Sequence, residues 1–262
     1  MRNRKQLFVV AALGALTMMG ACKKGDQGST GPTGPAGPAY TGAISGHVML
    51  YDQYGTKLTE DLSGVKVTLT SDSGTTTSTV TTDGNGYYIF PGVRTGAYSM
   101  MVTDPNTSPY TFGANVATSF QFLEDTLNKD IKLSAIPTFS PATMSAYMTS
   151  YTQNDSLVFT IAPDTRARDI IVFVNSNSTV NNVPGNYLLA YVKGVNANAT
   201  TFSLLVPAND LMDQGISAGS TVYFAAYGYP VSDYSVYEDL ATGTNVYNAL
   251  STSYLAANAI AP

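Results

Sequence analysis

The sequence predicts an all-β protein with two tandem β-sandwich domains behind a signal peptide and an extended Gly-X-Y linker. Two observations carry this prediction. From about residue 43 onward, short runs of alternating apolar and polar residues are separated by turn residues, and no stretch has a convincing helical period. Charged residues make up only 12% of the chain, while Gly and Tyr are abundant, which is typical of extracellular β-rich modules with neutral polar surfaces.

Residues 1–21 have the pattern of an export signal. A basic start is followed by about 13 mostly apolar residues, at positions 7–19, whereas a bilayer-spanning helix needs about 20. Gly20 and Ala21 then precede Cys22, the single cysteine of the chain. This arrangement resembles the lipobox of bacterial lipoproteins, which implies cleavage before Cys22 and attachment of lipid to its sulfur. The alternative is an ordinary secretory signal with a chance cysteine, or a structural thiol.

Lipidation of Cys22 would place the protein at a membrane. Each buried acyl CH₂ contributes about 0.8 kcal/mol, and two or more acyl chains give stable anchoring. Lys23 stands where an aspartate would resemble the inner-membrane retention signal of Gram-negative lipoproteins. We therefore expect the outer membrane of a Gram-negative bacterium, with the protein facing either the periplasm or the cell exterior. A lipidated Cys22 leaves no thiol for a disulfide, so core burial must stabilise the folded part.

Residues 22–42 carry glycine at every third position from Gly25 to Gly37, often followed by proline. The run resembles a collagen repeat, in which only glycine fits at the axis of the triple helix. Because the run is short, we interpret it as an extended tether, about 60 Å long at ~3.1 Å per residue. Trimerisation through this segment stays open, since lipid anchoring raises the local concentration of chains.

The segment 43–136 is expected to form the first sandwich. Its predicted strands cover residues 44–50, 65–69, 76–82, 87–90, 97–102 and 128–133. Four motifs follow one another: Ser45-Gly46-His47-Val48, Leu62-Ser63-Gly64-Val65-Lys66-Val67, Thr82-Asp83-Gly84-Asn85-Gly86-Tyr87-Tyr88-Ile89-Phe90 and Gly96-Ala97-Tyr98. The series resembles the carboxypeptidase regulatory-like, transthyretin-type β-sandwich. That resemblance implies a folding or spacer module without an active site. The irregular stretch 106–125 is longer than the family needs, so a specific function would lie there.

The segment 137–262 is expected to form a second sandwich after a short linker at 137–141. Its predicted strands cover residues 157–161, 170–174, 187–192, 202–206, 222–229 and 246–256. Between Leu211 and Tyr223 the sequence resembles the E–F corner of fibronectin type III domains, where a leucine packs beneath the crossing and a tyrosine opens the next strand. This implies an immunoglobulin-like sandwich, a fold too widespread to imply a function.

No catalytic or cofactor set is expected, and we predict that the protein is not an enzyme. Residues 215–219 match the G-x-S-x-G nucleophile elbow, but no histidine follows them, since His47 is the single histidine of the chain. The same count excludes the usual zinc ligand sets. The turn at 83–86 hints at a calcium loop, but the position of the closing carboxylate is taken by Arg94. The formal charge of −5 makes nucleic acid an unsuitable partner.

Tyrosines in the second sandwich are the candidate ligand contacts. On a strand, Tyr223, Tyr227 and Tyr229 share one face, and the following loop adds Tyr234 and Tyr237. Tyrosine offers rigid apolar area with a polar tip, which suits stacking on sugars or gripping a peptide. We predict Tyr227, Tyr229, Tyr234 and Tyr237 as contacts. The alternative places Tyr223 in the corner and the others in core-edge or loop packing.

Two functions of different class fit the sequence. The first is a membrane-anchored envelope lipoprotein that acts as a non-catalytic interaction or ligand-binding module, with a glycan as one candidate ligand. The second is a structural or adhesive component of a surface assembly that binds no small ligand. The expected partners are the membrane, through the lipid on Cys22, and a glycan or an envelope protein.

Overall fold

A computed structural model describes residues 40–105, 109–123, 125–149, 154–239 and 242–262. Of these described residues, 53% are in strands and 3% in a helix, which confirms the all-β prediction. The described residues belong to one compact unit, Ala39–Pro262. The predicted signal peptide, Cys22 and the Gly-X-Y triplets lie outside the described residues. Within the described ranges, no helix is long and apolar enough to cross a membrane.

The described residues of the first sandwich form eight strands in two sheets. Its strands are β1 (Thr41–Tyr51), β2 (Lys66–Ser71), β3 (Thr77–Thr81), β4 (Tyr87–Arg94), β5 (Gly96–Thr103), β6 (Asn115–Phe122), β7 (Thr126–Asn128) and β8 (Ile131–Ser134). One sheet has the order β4-β1-β7, with β8 pairing farther along β1, and the other has the order β3-β2-β5-β6. β7 and β8 run parallel to β1, and the remaining pairs are antiparallel.

Strand β1 organises the first sandwich because its side chains alternate between the two faces of its sheet. Ile44, Val48 and Leu50 point into the core, while the residues between them face outward. Gly46 occupies the remaining inward position, where a methyl group would overlap the carbonyl oxygen of Lys129. Glycine at this position therefore allows the chain to cross close to β1, and the Tyr88 hydroxyl donates a hydrogen bond to the same carbonyl.

The stretch 106–125 is more regular than expected because it contains a strand, and the expectation that a specific function lies there stays a prediction. Its residues 115–122 form β6, which pairs antiparallel with β5, and Phe122 is buried in the core. Sequence periodicity missed this strand because its pairing with β5 shifts register between Tyr98 and Met100. A register shift breaks the simple alternation that marks a strand in sequence.

In the second sandwich, the described part of the chain forms nine strands and one short helix. Its elements are β9 (Thr143–Thr149), β10 (Asn154–Thr160), β11 (Arg168–Asn175), β12 (Leu189–Val195), β13 (Thr201–Val206), α1 (Ala208–Asp213), β14 (Thr221–Tyr229), β15 (Val236–Asp239), β16 (Thr244–Tyr247) and β17 (Tyr254–Ile260). The sheets have the orders β13-β10-β9 and β12-β11-β14-β17, and β15 and β16 form a separate hairpin. The predicted strand 246–256 is therefore two strands, β16 and β17, separated by a loop.

Strands β11 and β14 are buried on both faces of their sheet. The inner face packs against the β13-β10-β9 sheet through residues such as Val172 and Phe224. The outer face forms a second apolar cluster, the outer cluster, whose buried members are Ile171, Phe173, Val180, Tyr187, Ala225, Tyr227, Tyr229 and Leu250. The nearly continuous apolar run of β11 is typical of a strand with two covered faces, because neither face needs polar side chains.

The two sandwiches meet at a junction of buried polar groups, and Ser134 lies at its centre. The Ser134 hydroxyl donates to the carbonyl of Ser232 at 2.6 Å and accepts the main-chain N–H of Tyr234 at 2.8 Å. The Ser134 N–H donates to the hydroxyl of Ser235, which in turn donates to the carbonyl of Gly113. The loop after β14 is therefore hydrogen-bonded to the first sandwich through both main chain and side chains.

A second part of the junction connects the loop after β1 to the loop after β10. The Tyr54 hydroxyl donates to Asp164 Oδ2 at 2.6 Å, and the Arg166 guanidinium lies 3.3 Å from the centre of the Tyr54 ring. Arg166 also pairs with the buried carboxylate of Asp52 at 3.6 Å. The hydrogen bond from Tyr54 lowers the pKa of Asp164 below its ordinary value. The residues between β8 and β9 take part as well, because the N–H of Thr138 donates to Gln53 Oε1.

Candidate functional site

The predicted tyrosine contacts do not form one exposed surface. Tyr227 and Tyr229 do share a strand face, but their exposed fractions are only 5% and 9%. Both belong to the outer cluster, which the hairpin β15–β16 and the loop before β12 cover. Because they are buried, Tyr227 and Tyr229 are not the surface contacts that we predicted. Their positions agree with the alternative, in which these tyrosines pack at the edge of the core or under loops.

The environment of Tyr227 and Tyr229 explains their burial. Tyr227 packs edge-on against Phe173 at 5.6 Å and stacks on Tyr254 at 4.9 Å between ring centroids. Burial raises the pKa of Tyr227 to about 12, with a further contribution from Tyr254. Burial also raises the pKa of Tyr229, and the nearby Asp233 adds to this shift. Both hydroxyls therefore stay protonated and act as structural hydrogen-bond groups.

Tyr234 and Tyr237 lie apart from each other. Tyr237 is half-buried in β15, where it pairs with Val246. Tyr234 is half-buried at the junction and packs against Tyr51 of the first sandwich, with ring centroids 4.6 Å apart. The Lys132 ammonium lies 4.6 Å from the centre of the Tyr234 ring and 5.8 Å from that of Tyr51. Of the four predicted contacts, Tyr234 is the one that extends an accessible surface of the first sandwich.

That surface is the outward face of the β4-β1-β8 region, which we call the outer strip. It follows from the alternation of β1, whose outward residues pair with outward residues of β4 and β8: His47 is opposite Tyr87, and Met49 is opposite Lys132. The outer strip consists of His47, Met49, Tyr51, Tyr87, Lys132 and Tyr234. Tyr87 is 37% exposed and is flanked by Ile89, which is 43% exposed.

One end of the outer strip combines an aromatic pair with a carboxylate. The rings of His47 and Tyr87 are 5.4 Å apart and tilted by 58°. His47 Nδ1 lies 3.7 Å from Asp130 Oδ1, and the same oxygen accepts the main-chain N–H of His47 at 2.9 Å. Asp130 therefore fixes the main chain beside His47 and also holds the ring of His47. All three side chains remain exposed to solvent.

The other end of the outer strip has an aromatic pair under a cation. Tyr51 and Tyr234 form this pair, with Lys132 placed over both rings. Because strand residues rise about 3.3 Å each, this end lies about 13 Å from His47 along β1. The outer strip thus has one aromatic pair at each end, with the apolar side chain of Met49 between the two pairs. It can stack against flat apolar faces and bind hydroxyl or carbonyl groups at both ends.

The outer strip contains no arrangement for metal or nucleophilic chemistry. Among the described ranges, no group of three His, Cys, Asp or Glu residues could hold a metal ion. The G-x-S-x-G match at 215–219 forms the turn between α1 and β14, with positive φ at Gly215 and Gly219. It is therefore part of a helix-to-strand connection rather than the strand-to-helix elbow of a hydrolase.

From the sequence, His47 was not singled out as a contact, and Tyr51 and Tyr87 were not connected with Tyr234. A signal for half of the outer strip was present, because His47, Met49 and Tyr51 alternate with core residues on β1. The addition of Tyr234 had no sequence signal, since it comes from a loop far along the chain and reaches Tyr51 only through the junction.

Comparison with known proteins places the first sandwich in a family. No curated protein matches the chain. Among solved structures, it is similar to a proposed carbohydrate-binding protein from Bacteroides uniformis, with 14% identity over 82% of this chain and 97% of that one, and a TM-score of 0.29. It is also similar to the major pilin subunit BcpA of Bacillus cereus, with 12% identity over 84% and 69% of the two chains and a TM-score of 0.31. Residues 45–134 match the carboxypeptidase regulatory-like domain family, which confirms the resemblance predicted for this part of the chain.

Proposed function

We propose that this protein is a lipid-anchored, non-catalytic envelope protein that binds its ligand through the outer strip. The observation that carries this proposal is the exposure of aromatic and apolar side chains along one sheet face. Tyr87 is 37% exposed, and the tyrosines of the second aromatic pair are only half-buried. Exposed aromatic side chains that lie in a row on a sheet are a feature of recognition surfaces rather than of ordinary polar exteriors.

A glycan is the ligand class that fits the outer strip best. Sugar rings have apolar faces that stack on tyrosine, and their hydroxyl groups hydrogen-bond to side chains such as His47, Asp130 and Lys132. Two aromatic pairs about 13 Å apart suit a ligand of several linked units rather than a single small molecule. The two aromatic pairs are fixed in position, because each consists of a side chain on β1 and a second ring packed against it.

A glycan array tests this proposal directly. We expect the wild-type chain to bind a subset of oligosaccharides, and Tyr87→Ala and Tyr234→Ala each to weaken that binding by about tenfold or more. Tyr147→Ala is the matched control, since Tyr147 is 50% exposed but lies on β9, away from the outer strip. A glycan hit that survives both outer-strip substitutions would place the ligand elsewhere on the molecule.

The alternative function, a structural or adhesive component, is favoured by the junction. Hydrogen bonds from Ser134, Ser235 and Tyr54 hold the two sandwiches in one arrangement, as a spacing element requires. This function predicts a blank glycan array and stable co-purification with an envelope protein. In that case the outer strip would be a protein contact, and Tyr87→Ala would release the partner.

Anchoring through Cys22 is the part of the proposal that concerns location. In cells, the wild-type protein should fractionate with the outer membrane and incorporate labelled fatty acid. Cys22→Ser should abolish the labelling and remove the protein from the outer-membrane fraction, because stable anchoring there needs the acyl chains. The substitution also blocks cleavage before residue 22, so the apolar signal peptide can hold the variant in the inner membrane. Lys23→Ala is the control, since it leaves the cysteine in place. Retention of the Cys22→Ser variant in the outer membrane would rule out lipid as the anchor.

A further inference from the structure

A groove separates the edges of the two sheets of the first sandwich, on the side where β3 connects to β4. It contains two cavities that share Val80, one of about 520 Å³ and one of about 360 Å³. The floor is apolar because Leu69, Phe90 and Val80 belong to the main core or pack against it. The groove is therefore an opening into the core between two strand edges, and it lies outside the outer strip apart from the shared Tyr87.

The edge of β3 on this side is unpaired among the described residues. β3 pairs with β2 alone, and the bonds from Thr82 N to Val65 O and from Ser71 N to Thr76 O fix the pattern of that ladder. Because alternate residues of an antiparallel strand bond to opposite sides, the N–H and C=O groups of Thr77, Thr79 and Thr81 point away from β2. These three residues are exposed and present a regular row of donors and acceptors.

The edge of β4 across the groove differs because it is partly blocked. Tyr87 uses its main-chain groups in the turn with Asp83, accepting from the Asp83 N–H and donating to the Asp83 carboxylate. Pro91 has no N–H to donate, and proline is a common device that prevents pairing at a strand edge. β3 has no such protection, since its sequence Thr-Ser-Thr-Val-Thr contains neither proline nor a charged residue.

We propose that the free edge of β3 binds an extended segment of a partner protein, which adds a strand to the β3-β2-β5-β6 sheet. The occupant is a polypeptide because a row of alternating N–H and C=O groups at strand spacing is complementary to another strand. Alternate side chains of the segment enter the cavities over Val80, so small or medium apolar residues are favoured at every second position. Lys66 and Arg94 line the cavities with Asp83 as the single carboxylate, so neutral or acidic segments are favoured over basic ones.

Peptide selection with the whole chain tests this proposal. Peptides would be selected from a random decapeptide phage library, synthesised and titrated by fluorescence anisotropy. Thr79→Pro removes one free-edge N–H that the native sheet does not use, and we expect about tenfold weaker binding. Thr79→Ala is the matched control because it keeps the N–H, and its affinity should stay within about twofold of the wild type.

Amide hydrogen exchange supplies the second measurement and does not depend on how the proline variant folds. In the wild-type chain, a selected peptide should protect the N–H groups of Thr77, Thr79 and Thr81, while those of the outer strip should be unchanged. The proposal would be overturned if selection on the wild-type chain enriched no peptides beyond those from a parallel selection on Thr79→Pro. It would also be overturned if both chains bound the peptides with equal affinity and the N–H groups of β3 showed no protection. If the wild type self-associates and Thr79→Pro abolishes that association, the edge of β3 binds a second copy of this chain, and the proposal of a different partner protein is overturned. These two measurements at β3 do not depend on the glycan-array test of the outer strip, so they remain valid if that test fails.

Discussion

At the scale of single residues, Asp155 stands out because it is a fully buried carboxylate. It is the second residue of β10, its exposed fraction is 0%, and neither oxygen has a hydrogen-bond partner among the described residues. Burial raises the pKa of Asp155 from 3.8 to about 6. A raised pKa means that the folded protein binds the proton more tightly than the unfolded chain. The folded state therefore loses stability as the pH rises from about 4 to about 6.

Asp155→Asn should stabilise the protein at neutral pH, because it removes the charge and keeps the shape of the side chain. We expect the free energy of unfolding to increase by up to about 3 kcal/mol at pH 7.5 and to match the wild type near pH 4. Urea denaturation at several pH values measures both numbers. Asp213→Asn is the control, since Asp213 is exposed and its substitution should change stability by less than about 0.5 kcal/mol. A constant difference across the pH range would show that Asp155 is not the titrating group.

At the scale of elements, the fold depends on close approaches of the main chain that only glycine permits. Gly228 in β14 is buried beneath Phe139, which belongs to the connection between the two sandwiches. A methyl group at residue 228 would overlap the carbonyl oxygen of Phe139. The connection can therefore lie directly on the sheet, and Phe139 packs against the core of the second sandwich.

Gly228→Ala should destabilise the protein by about 2 to 3 kcal/mol, because either β14 or the connection must move. Chemical denaturation monitored by tyrosine fluorescence measures this loss. Gly194→Ala on β12 is a matched control, since its added methyl group would meet the Asp169 carboxylate only at an ordinary contact distance of 3.6 Å. Equal effects of the two substitutions would mean that the cost comes from strand propensity rather than from the contact with Phe139.

At the scale of the whole molecule, the junction joins the two sandwiches through buried polar groups whose partners lie in the other sandwich. Such groups are costly to leave unpaired, so separation of the sandwiches is penalised. The same junction brings Tyr234 to Tyr51 and thereby completes the outer strip. Structural coupling and the proposed binding surface thus depend on the same loop after β14.

The junction predicts that residues 40–262 unfold in one cooperative transition. Ser134→Ala removes the acceptor of the Tyr234 N–H and the donor to the Ser232 carbonyl, which should cost about 1 to 3 kcal/mol. Scanning calorimetry should show a single peak for the wild type and a midpoint lowered by several degrees in the variant. Ser145→Ala, at an exposed position of β9, should leave the midpoint unchanged. Two separate peaks in the wild type would contradict the coupling.

Strands could be predicted from the sequence wherever apolar residues occupy one face and polar residues the other. β1 and β2 alternate clearly, and the family resemblance carried by residues such as Gly46, Gly86 and Tyr88 agrees with the family match of residues 45–134. β6 was missed because of its register shift, and Tyr227 was misassigned because alternation predicts which residues share a face but not whether that face is covered. The hairpin β15–β16 that covers it comes from a later part of the chain.

The all-β class, the family match of residues 45–134 and the order of most strands could be predicted from the sequence, because they follow from local alternation, turn residues and short motifs. Which faces and edges are accessible depended on the tertiary structure. It buried Tyr229, exposed Tyr87, brought Tyr234 onto Tyr51 and left the edge of β3 open. The physical reason is that accessibility depends on contacts between residues far apart in the chain, and local patterns carry no information about those contacts.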